Sequence, residues 1–352
     1  MFNEILDSFG INASECQVAP FGSGLINKTY KVTRGSNSFI LQQINTDIFT
    51  DPYAIDRNLA LIGDYLHKHH PGYLFVAPLK NASAKSIIEA SNGSFYRLFP
   101  FVEGSRTVNH LQHPHEAYNA AAQFGRFTRL LDGFEIGKLA YTLPDFHNLD
   151  LRYRQFQQAL QDSPSSKQEK ARDAIADAES NVHVVDTYRY ILSNKYFRLR
   201  VVHHDTKINN VLFDKEGNAL CLVDLDTVMP GYYMSDVGDM MRTYIAEADE
   251  EEQDLDKIKV RREFLKEVYT GYMSEMGDIL HEEEKKQFIY SGEMMIYMQA
   301  LRFLTDFLND DRYYGARYEG HNLIRARNQF RLLKEYQAAT RNVDFLVKHL
   351  AV

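Results

Sequence analysis

The first hundred residues contain short runs in which apolar and polar side chains alternate, a period typical of half-buried β-strands. Glycine, asparagine and serine separate these runs, as expected of turns. One stretch instead has helical spacing, with Ile55, Leu59, Ile62 and Leu66 on one face before Pro71-Gly72 ends it. The pattern predicts one helix, Tyr53–His70. It also predicts five strands: Cys16–Gly22, Thr29–Thr33, Ser38–Gln42, Ser86–Ala90 and Ser94–Phe99.

The alternating pattern ends at Phe99–Gly104, and helical periodicity dominates the chain from there onward. Three stretches are predicted as helical, the second as a solvated helix or a loop and the third with a break at residues 310–320: Pro114–Leu131, Ser163–Glu179 and Glu282–Leu350. A chain of 352 residues exceeds the usual span of one hydrophobic core. We therefore predict an α+β protein with a small antiparallel-sheet N-terminal lobe, residues 1–102, and a larger, mostly helical C-terminal lobe, residues 103–352.

One part of the helical half breaks the helical pattern. Arg200–His203, Val211–Asp214 and Leu220–Leu225 have the apolar composition of short strands, and polar residues cluster at their ends. Loops that short strands hold in place are common positions for catalytic groups. We therefore expect the chemistry of this protein at residues 203–226.

The polar string after the first of these strands has a specific spacing. His203, Asp205 and Asn210 match the H-R-D-x-x-x-x-N loop of protein kinases, in which the aspartate positions the attacking hydroxyl and the asparagine binds magnesium. We predict Asp205 as the catalytic base and Asn210 as a metal ligand. His203 is predicted to brace the loop through hydrogen bonds. His204 is predicted to face the substrate, and an ordinary loop histidine is the alternative.

The third strand ends in the string Val223-Asp224-Leu225-Asp226, an apolar strand followed by a carboxylate. Mg²⁺ prefers oxygen ligands and usually takes one or two carboxylates, with phosphate and water completing its shell. Asp224 together with Asn210 satisfies that demand, so we predict both as magnesium ligands. Asp226 is predicted either to bind a second metal ion or to support these ligands.

A glycine-containing segment lies between the first two predicted strands, where a loop that covers phosphates would lie. Glycines allow backbone N–H groups to approach phosphate oxygens. The segment does not follow G-x-G-x-x-G, and a plain hairpin turn is the alternative. Together with the downstream loop it predicts a nucleotide site, and the predicted contacts are Gly22, Ser23, Gly24, Asn27 and Thr29.

The composition limits which classes of binding partner are expected. The net charge of −8 and the pI near 5.9 disfavour nucleic acid, because phosphate backbones attract basic surfaces. The N-terminus lacks the pattern of a signal peptide and no run of 18 apolar residues occurs, so we expect no membrane span and a cytoplasmic location. No obligate protein partner is evident. The acidic run Glu247–Asp256 is predicted as an exposed loop or helix start rather than a metal site.

These motifs resemble the aminoglycoside phosphotransferase and choline kinase superfamily, and within it most closely the bacterial N-acetylhexosamine 1-kinases. The resemblance extends over most of the chain, and the Asp-Thr-Lys and Arg-Phe-Leu-Thr-Asp strings indicate the hexosamine branch. The resembling stretches are Gly24–Tyr30, Phe39–Asn45, His204–Asn210, Val223–Gly231, Leu301–Asp306 and His321–Arg327.

The resemblance implies a bilobal protein-kinase-like fold. It implies transfer of the γ-phosphate of ATP, with Mg²⁺, to the anomeric hydroxyl of N-acetylglucosamine or N-acetylgalactosamine. It places Arg302, Tyr313 and Asp306 near the sugar, together with His204 as predicted above. Arg302 and Asp306 are four residues apart on a predicted helix, so an ion pair between them is the alternative.

One departure from the kinase pattern concerns the lysine that usually lies on the third strand and holds the α- and β-phosphates. The third predicted strand offers Gln42 and no lysine. Lys28 or Lys31 could replace it, or ATP binding could depend on backbone and metal. Two other functions stay open: a kinase of another small hydroxyl substrate (choline or ethanolamine, methylthioribose, homoserine or an aminoglycoside) and a non-catalytic nucleotide-binding module.

Overall fold

A computed structural model describes residues 2–22, 24 and 26–341 of the chain. Its N-terminal part is an antiparallel sheet in the order β1-β2-β3-β5-β4, which confirms the five predicted strands. The first strand ends earlier than predicted, since Gly22, with a φ of +79°, already belongs to the following loop. The strands are β1 (Gln17–Pro20), β2 (Lys28–Arg34), β3 (Asn37–Ile44), β4 (Ile87–Glu89) and β5 (Phe95–Pro100).

The two faces of this sheet differ in polarity. On one face apolar side chains pack against α1 (Phe2–Ser8) and form a small separate core with residues such as Leu41 and Leu98. On the other face Thr29, Gln42 and Arg97 form a row, because Thr29 is opposite Gln42 and Gln42 is opposite Arg97 in the strand register. The sheet therefore separates an apolar core from a polar row.

The predicted helix of the N-terminal part is α2 (Pro52–His69), between β3 and β4. Asp51 caps it by accepting a hydrogen bond from the backbone N–H of Ala54, and Pro52 occupies its first position. The apolar face of α2 packs into the main core of the protein rather than into the small core beneath the sheet. This helix therefore joins the sheet to the rest of the molecule.

The rest of the described chain is mostly helical, as predicted. The polar stretch 163–179 forms two short helices, and the last described helix ends at Thr340, so residues 342–350 of the predicted tail lie outside the described residues. The helices are α3 (Pro114–Leu130), α4 (Leu149–Asp162), α5 (Ser165–Lys170), α6 (Arg172–Ser180), α7 (His183–Ser193), α8 (Tyr233–Tyr244), α9 (Arg262–Met276), α10 (Glu282–Lys286), α11 (Phe288–Leu308) and α12 (His321–Thr340).

Helix α11 is the centre of the helical part. Seventeen of its 21 residues are buried, and it packs against α4, α8 and α12. A helix that is apolar on nearly every side needs neighbours all round, and this explains the arrangement. No helix among the described residues is long and apolar enough to cross a membrane.

Four short strands form two antiparallel pairs inside the helical part: β6 (Arg200–Val202) with β9 (Met229–Gly231), and β7 (Val211–Phe213) with β8 (Ala219–Leu222). The prediction identified β6, β7 and β8 and missed β9. It also extended β8 too far, because the strand ends at Leu222 and residues 225–227 form a turn of 3₁₀-helix. The predicted lobe boundary at residues 102 and 103 falls between β5 and α3 and stays a prediction.

The acidic run at residues 247–256 is a loop, as predicted, but it is not simply solvated. Glu250 contacts Arg242 of α8 at 3.1 Å and also pairs with Arg325 of α12. Glu251 contacts Arg317 at 2.7 Å. The run therefore fastens the loop to two helices through ion pairs.

Candidate active site

The loop between β6 and β7, residues 203–210, carries the predicted catalytic residue. Two aspartates of α8, three residues apart on one helix face, hold its backbone. Asp236 accepts hydrogen bonds from the N–H groups of His203 (3.0 Å) and His204 (2.7 Å), and Asp239 accepts one from Thr206 (2.8 Å). Asp236 is fully buried, and this burial raises its pKa to about 7. The loop conformation therefore depends on a buried carboxylate.

His203 braces the loop through hydrogen bonds, as predicted. Its Nε2 donates to the carbonyl oxygen of Val223 (3.1 Å), and its Nδ1 accepts from the N–H of Asp205 (3.3 Å). The edge of Phe124 packs against the ring. Burial lowers the pKa of His203, so the ring is neutral and holds the tautomer that these contacts require.

Asp205 lies in the middle of this loop, and its side chain keeps some access to solvent. Burial works against its charged form, but the charge of Lys207 and the hydrogen bonds from Lys207 and Asn210 outweigh it, so the pKa of Asp205 is lowered. The Lys207 ammonium is 3.1 Å from the Asp205 carboxylate. Asp205 is therefore an ionised carboxylate that can accept a proton.

Asn210 and Asp224 are brought next to this carboxylate. Asn210 donates from Nδ2 to the backbone oxygen of Asp205 (2.9 Å), which leaves its Oδ1 as a free acceptor. Asp224 has a left-handed backbone, with a φ of +57°, a conformation that costs energy in a residue other than glycine. Its desolvated surroundings, and then the charges of Asp226 and Asp205, raise its pKa to about 7.

These features fit a divalent cation. Two carboxylates that raise the pKa of a third create a demand for positive charge, and the amide oxygen of Asn210 and the carboxylate of Asp224 are hard oxygen ligands. The roles of Asp205, Asn210 and Asp224 stay predictions, now with a geometry in which all three belong to one site.

Asp226 makes different side-chain contacts from its neighbour Asp224. It is 1% exposed, its Oδ1 is 2.5 Å from Nη2 of Arg97, and its Oδ2 accepts a hydrogen bond from Nδ2 of Asn27 (2.7 Å). Both partners come from the N-terminal sheet part of the chain. Of the two roles predicted for Asp226, this arrangement favours support of the site over binding of a second metal ion.

The glycine-containing segment lies at the edge of this site. Its ends are closed by a hydrogen bond from the N–H of Phe21 to the oxygen of Thr29 (2.9 Å), and Gly22 has the positive φ that favours glycine. Asn27 reaches Asp226, as described above, and Thr29 lies in the polar row beside Gln42. Gly24 is described, whereas the predicted contact Ser23 lies outside the described residues. The nucleotide contacts stay predictions.

A series of ring contacts connects the catalytic loop to a second part of the site. His204 is nearly buried and has a φ of +67°, and its ring lies 5.5 Å from that of His147. His147 stacks on Phe146 (4.4 Å), and the guanidinium of Arg302 lies 5.9 Å from the Phe146 ring. Burial lowers the pKa of His204 to about 4, so this histidine is neutral near pH 7.

Three of the four predicted sugar residues, Arg302, Asp306 and Tyr313, line a cleft of about 390 Å³ between α4 and α11, and His204 does not. The Arg302 Nη2 is 3.3 Å from the Tyr313 hydroxyl, and Tyr313 is 74% exposed. Asp306 accepts hydrogen bonds from the backbone N–H groups of Tyr313 (2.7 Å) and Tyr314 (2.8 Å). Asp306 therefore holds the loop that carries Tyr313, and the alternative ion pair with Arg302 does not occur among the described contacts.

Several residues that complete the site were not predicted from the sequence. Arg97, Asp236 and His147 come from segments far from the catalytic loop in the chain, and only the fold brings them to it. One signal was present for the aspartates: Asp236 and Asp239 are three residues apart and therefore share a helix face. Arg97 was not distinguishable from an ordinary strand residue.

Comparison with known proteins agrees with this geometry. The family model of the phosphotransferase enzyme family (APH) matches residues 17–269. The amicoumacin kinase hAmiN, solved with AMP-PNP, Ca²⁺ and Ami, is 14% identical with a TM-score of 0.64, over 96% of this chain and 92% of that one. A microcompartment-associated aminopropanol kinase is 13% identical with a TM-score of 0.62 (96% and 97%), and the choline kinase from Cryptosporidium parvum Iowa II is 14% identical with 0.58 (99% and 97%).

The chain belongs to the phosphotransferase enzyme family, within the aminoglycoside phosphotransferase and choline kinase superfamily. Its fold is the bilobal protein-kinase-like fold that the sequence predicts. The protein is accordingly an ATP-dependent phosphotransferase that acts on a hydroxyl acceptor.

Proposed function

We propose that this protein transfers the γ-phosphate of ATP to the anomeric hydroxyl of an N-acetylhexosamine, N-acetylglucosamine or N-acetylgalactosamine, and that Mg²⁺ is its divalent ion. The observation that carries this proposal is the composition of the cleft between α4 and α11. Two arginines, Arg152 and Arg302, and the rings of Tyr313 and Tyr314 line it. Arginines and aromatic rings of this kind suit a neutral ligand rich in hydroxyl groups.

The contacts of the two carboxylates in the cleft argue against a cationic acceptor. An amine or a quaternary ammonium group is usually bound by free carboxylates or a cage of aromatic rings. Here Asp306 is occupied by backbone N–H groups, and Asp162 accepts a hydrogen bond from Gln158 (2.9 Å). The two arginines of the cleft, Arg152 and Arg302, offer hydrogen-bond donors instead.

The same groups suit an acetylated sugar. Guanidinium N–H groups donate hydrogen bonds to hydroxyl and carbonyl oxygens, and the acetamido group supplies such a carbonyl. The Nε of Arg152 is buried and has no hydrogen-bond partner among the described residues, so it is a donor available to a ligand. The exposed ring of Tyr313 offers an apolar face to the sugar ring.

Asp205 acts as the base in this proposal. Its carboxylate accepts a hydrogen bond from the anomeric hydroxyl and takes the proton as O1 attacks the γ-phosphorus. The new O1–P bond forms while the bond to the β–γ bridging oxygen breaks, and ADP leaves. Lys207 keeps Asp205 ionised before the reaction. His204, one residue away, orients the sugar through its neutral ring and the contact with His147.

Asn210 and Asp224 are the residues that would hold Mg²⁺, which when bound neutralises charge on the phosphates. The hydrogen bond from Asn210 to the Asp205 backbone fixes the distance between base and metal ligand. Gly22 and Gly24 bring backbone N–H groups to the phosphates, with Thr29 beside them and Asn27 acting through Asp226. Most of the barrier reduction then comes from positioning and electrostatics.

A screen of ATP consumption against six acceptors tests the proposal: N-acetylglucosamine, N-acetylgalactosamine, glucose, choline, homoserine and kanamycin. We expect turnover on the two acetylated sugars and little on the others. Phosphorus NMR of the product is expected to show a phosphate on C1. The methyl glycoside of N-acetylglucosamine, whose anomeric oxygen is blocked, is the matched control and is expected to be inert.

Each other result has a clear meaning. Turnover on choline or kanamycin alone contradicts the sugar assignment and leaves the kinase class intact. Phosphorylation of the methyl glycoside shows that the phosphate goes to a different hydroxyl. Magnesium is tested in the same assay, because replacing it with EDTA is expected to abolish turnover.

A further inference from the structure

The polar row of the N-terminal sheet contains a cation on an unexpected strand. The row consists of Thr29, Gln42 and Arg97, directly opposite one another on β2, β3 and β5. It is the row closest to the glycine-containing segment on this face, since β2 begins at Lys28. The lysine that usually serves the ATP phosphates would be expected on β3, where this chain has Gln42. The cation lies instead on the neighbouring strand β5, at Arg97.

The contacts of Arg97 hold its guanidinium in a fixed place. Nη2 lies 2.5 Å from Oδ1 of Asp226, and Nε donates to Oε1 of Gln42 at 3.0 Å. The residue is 1% exposed. Its Nη1 is buried and has no hydrogen-bond partner among the described residues, which omit Ser23 and Leu25. A buried guanidinium N–H without a partner is costly, and it is a feature of sites that a ligand completes.

The other cations near this row are less suitable. Lys28 lies in the register position next to Thr29, and therefore its side chain is on the opposite face of the sheet. Lys31 shares the face with Thr29 but lies farther from the glycine-containing segment, and its ammonium lies 4.1 Å from the centre of the Phe101 ring. Of the cations of β2, β3 and β5 on this face, Arg97 is the one that contacts the acidic residues of the site.

We propose that Arg97 binds the α- and β-phosphates of ATP, in the role that a lysine of the third strand would otherwise fill. Nη1 donates to a phosphate oxygen while Asp226 and Gln42 hold the other side of the guanidinium. Arginine suits this task because its planar group presents several donors in fixed directions and can serve two anions at once. The inference rests on the proposed function only in requiring that the protein bind ATP.

The position of Arg97 also links the nucleotide to the metal ligands. Asp226 is held by Arg97 and Asn27 and is two residues from Asp224. An arginine held in this way brings a phosphate-binding group of the sheet part into direct contact with the segment that carries the predicted metal ligand.

Nucleotide binding without any acceptor is the test. Calorimetry would compare Mg²⁺–ATP, Mg²⁺–ADP and adenosine on the wild type and on Arg97→Gln. We expect the variant to bind ATP and ADP about 10- to 100-fold more weakly, the effect of one lost charge-assisted hydrogen bond, with adenosine affinity within about twofold. Arg34→Gln, which removes an exposed arginine of β2 paired with Glu15, is the matched control and is expected to change neither.

A charge swap makes the test specific to position. Gln42→Lys combined with Arg97→Gln moves the cation to the directly opposite position on β3 and leaves a partner for Asp226. We expect it to recover most of the lost ATP affinity. Arg97→Gln leaves the buried carboxylate of Asp226 unpaired and can fail to fold. In that case the same measurements on Arg97→Gln combined with Asp226→Asn, compared with Asp226→Asn alone, decide.

Several outcomes overturn the inference. Unchanged ATP affinity in Arg97→Gln shows that Arg97 does not bind phosphate. If that variant does not fold, equal ATP affinity in Asp226→Asn and in Asp226→Asn combined with Arg97→Gln shows the same. An equal loss of adenosine and ATP affinity assigns Arg97 a structural role, as does a double variant with no recovery. These results are independent of the acceptor screen, so a failed sugar assignment leaves the inference standing, whereas a wild type that binds no ATP ends both proposals.

Discussion

The catalytic loop and the loop that carries Tyr313 are held by the same device. In each, one carboxylate on a helix accepts hydrogen bonds from two consecutive backbone N–H groups. Asp236 of α8 holds His203 and His204, and Asp306 of α11 holds Tyr313 and Tyr314. A carboxylate has two oxygens, and two N–H groups that point the same way from a loop use both of them.

The two loops differ in what they do with this support. The catalytic loop is enclosed, since His203 and Asp236 are fully buried. Further hydrogen bonds fix it: Asp239 accepts one from the loop, and the hydroxyls of Thr227 and Tyr244 each donate one to it. The second loop turns Tyr313 into solvent. The reaction is common to the family, so a rigid loop suits it, whereas an exposed loop can change its side chains without disturbing the base. This comparison supports the proposal that the catalytic loop carries out the reaction and that the loop with Tyr313 selects the acceptor.

The largest expected effect is at the catalytic loop itself. Asp205→Asn removes the base while keeping the shape of the side chain, and we expect kcat to fall by about 10²- to 10⁴-fold. The affinity for ATP measured by calorimetry is expected to change little. Asp256→Asn, at a side chain that is 92% exposed, serves as the control with unchanged kcat. Near-normal turnover in Asp205→Asn would remove the base assignment.

Asp236→Asn tests the support of that loop. An asparagine keeps one acceptor oxygen, so one buried N–H loses its partner, and we expect about 1–3 kcal/mol less unfolding free energy at pH 5, with a reduced kcat. The pKa of Asp236 is raised to about 7, so its folded state holds a proton that the unfolded state releases near pH 4. The contribution of Asp236 to the free energy of unfolding is therefore full below about pH 4 and is lost as the pH rises through about 7.

The stability difference between wild type and Asp236→Asn is consequently expected to narrow from pH 5 to pH 8. Urea unfolding at both pH values measures it. His204, whose pKa is lowered by burial, acts in the opposite direction below pH 6.5, but it is present in both proteins and cancels in the difference. A difference that stays constant between pH 5 and pH 8 would show that Asp236 is already ionised in the fold at pH 5.

Asp306→Asn applies the same change to the second loop, and a smaller effect on stability is expected because this loop is more exposed. The expected result is a higher KM for the acceptor with the KM for ATP unchanged. Asp310→Asn, in the same loop and paired with Lys167, is the matched control. If the KM for ATP rises together with that of the acceptor, the two loops do not divide the work as proposed.

The smallest effect is expected from the ion pairs outside these loops. Arg317 and Glu251 are 2.7 Å apart, but the Arg317 side chain is 73% exposed, and exposed pairs contribute little. Glu251→Gln is expected to change the unfolding free energy by at most about 0.5 kcal/mol and to leave both KM values unchanged. A raised acceptor KM would show that the acidic run, rather than Asp306, holds the second loop.

Prediction from sequence succeeded where the signal is local. The spacing of His203, Asp205 and Asn210 is fixed by a few residues, and a strand that ends near Asp224 can be recognised from its apolar run. The alternating pattern found all five strands of the N-terminal sheet, although β1 was extended too far, as was β8 in the helical part. The loops after these strands need particular backbone angles, such as the positive φ of Gly22 and Asp224, and composition alone does not give those angles.

Prediction did not reach contacts that side chains from distant segments share. The hydrogen bonds of Asp306 are one example, because its partners are the N–H groups of a loop that only the fold turns back toward it. The proposed phosphate-binding cation is another, since Arg97 lies neither on the third predicted strand nor on the segment before it. Strand β5 pairs with β3, and this pairing places Arg97 opposite Gln42.

The sequence by itself determined the class of reaction, because catalysis of phosphoryl transfer needs a base, an amide oxygen and a carboxylate at short and fixed separations along the chain. It also determined the order of strands and helices, through their two hydrophobic periods. The tertiary structure alone decided which carboxylates are free and which are occupied. Asp224 and Asp226 are two residues apart and chemically identical, yet only Asp226 is paired with Arg97 and Asn27, and Asp224 stays the predicted metal ligand.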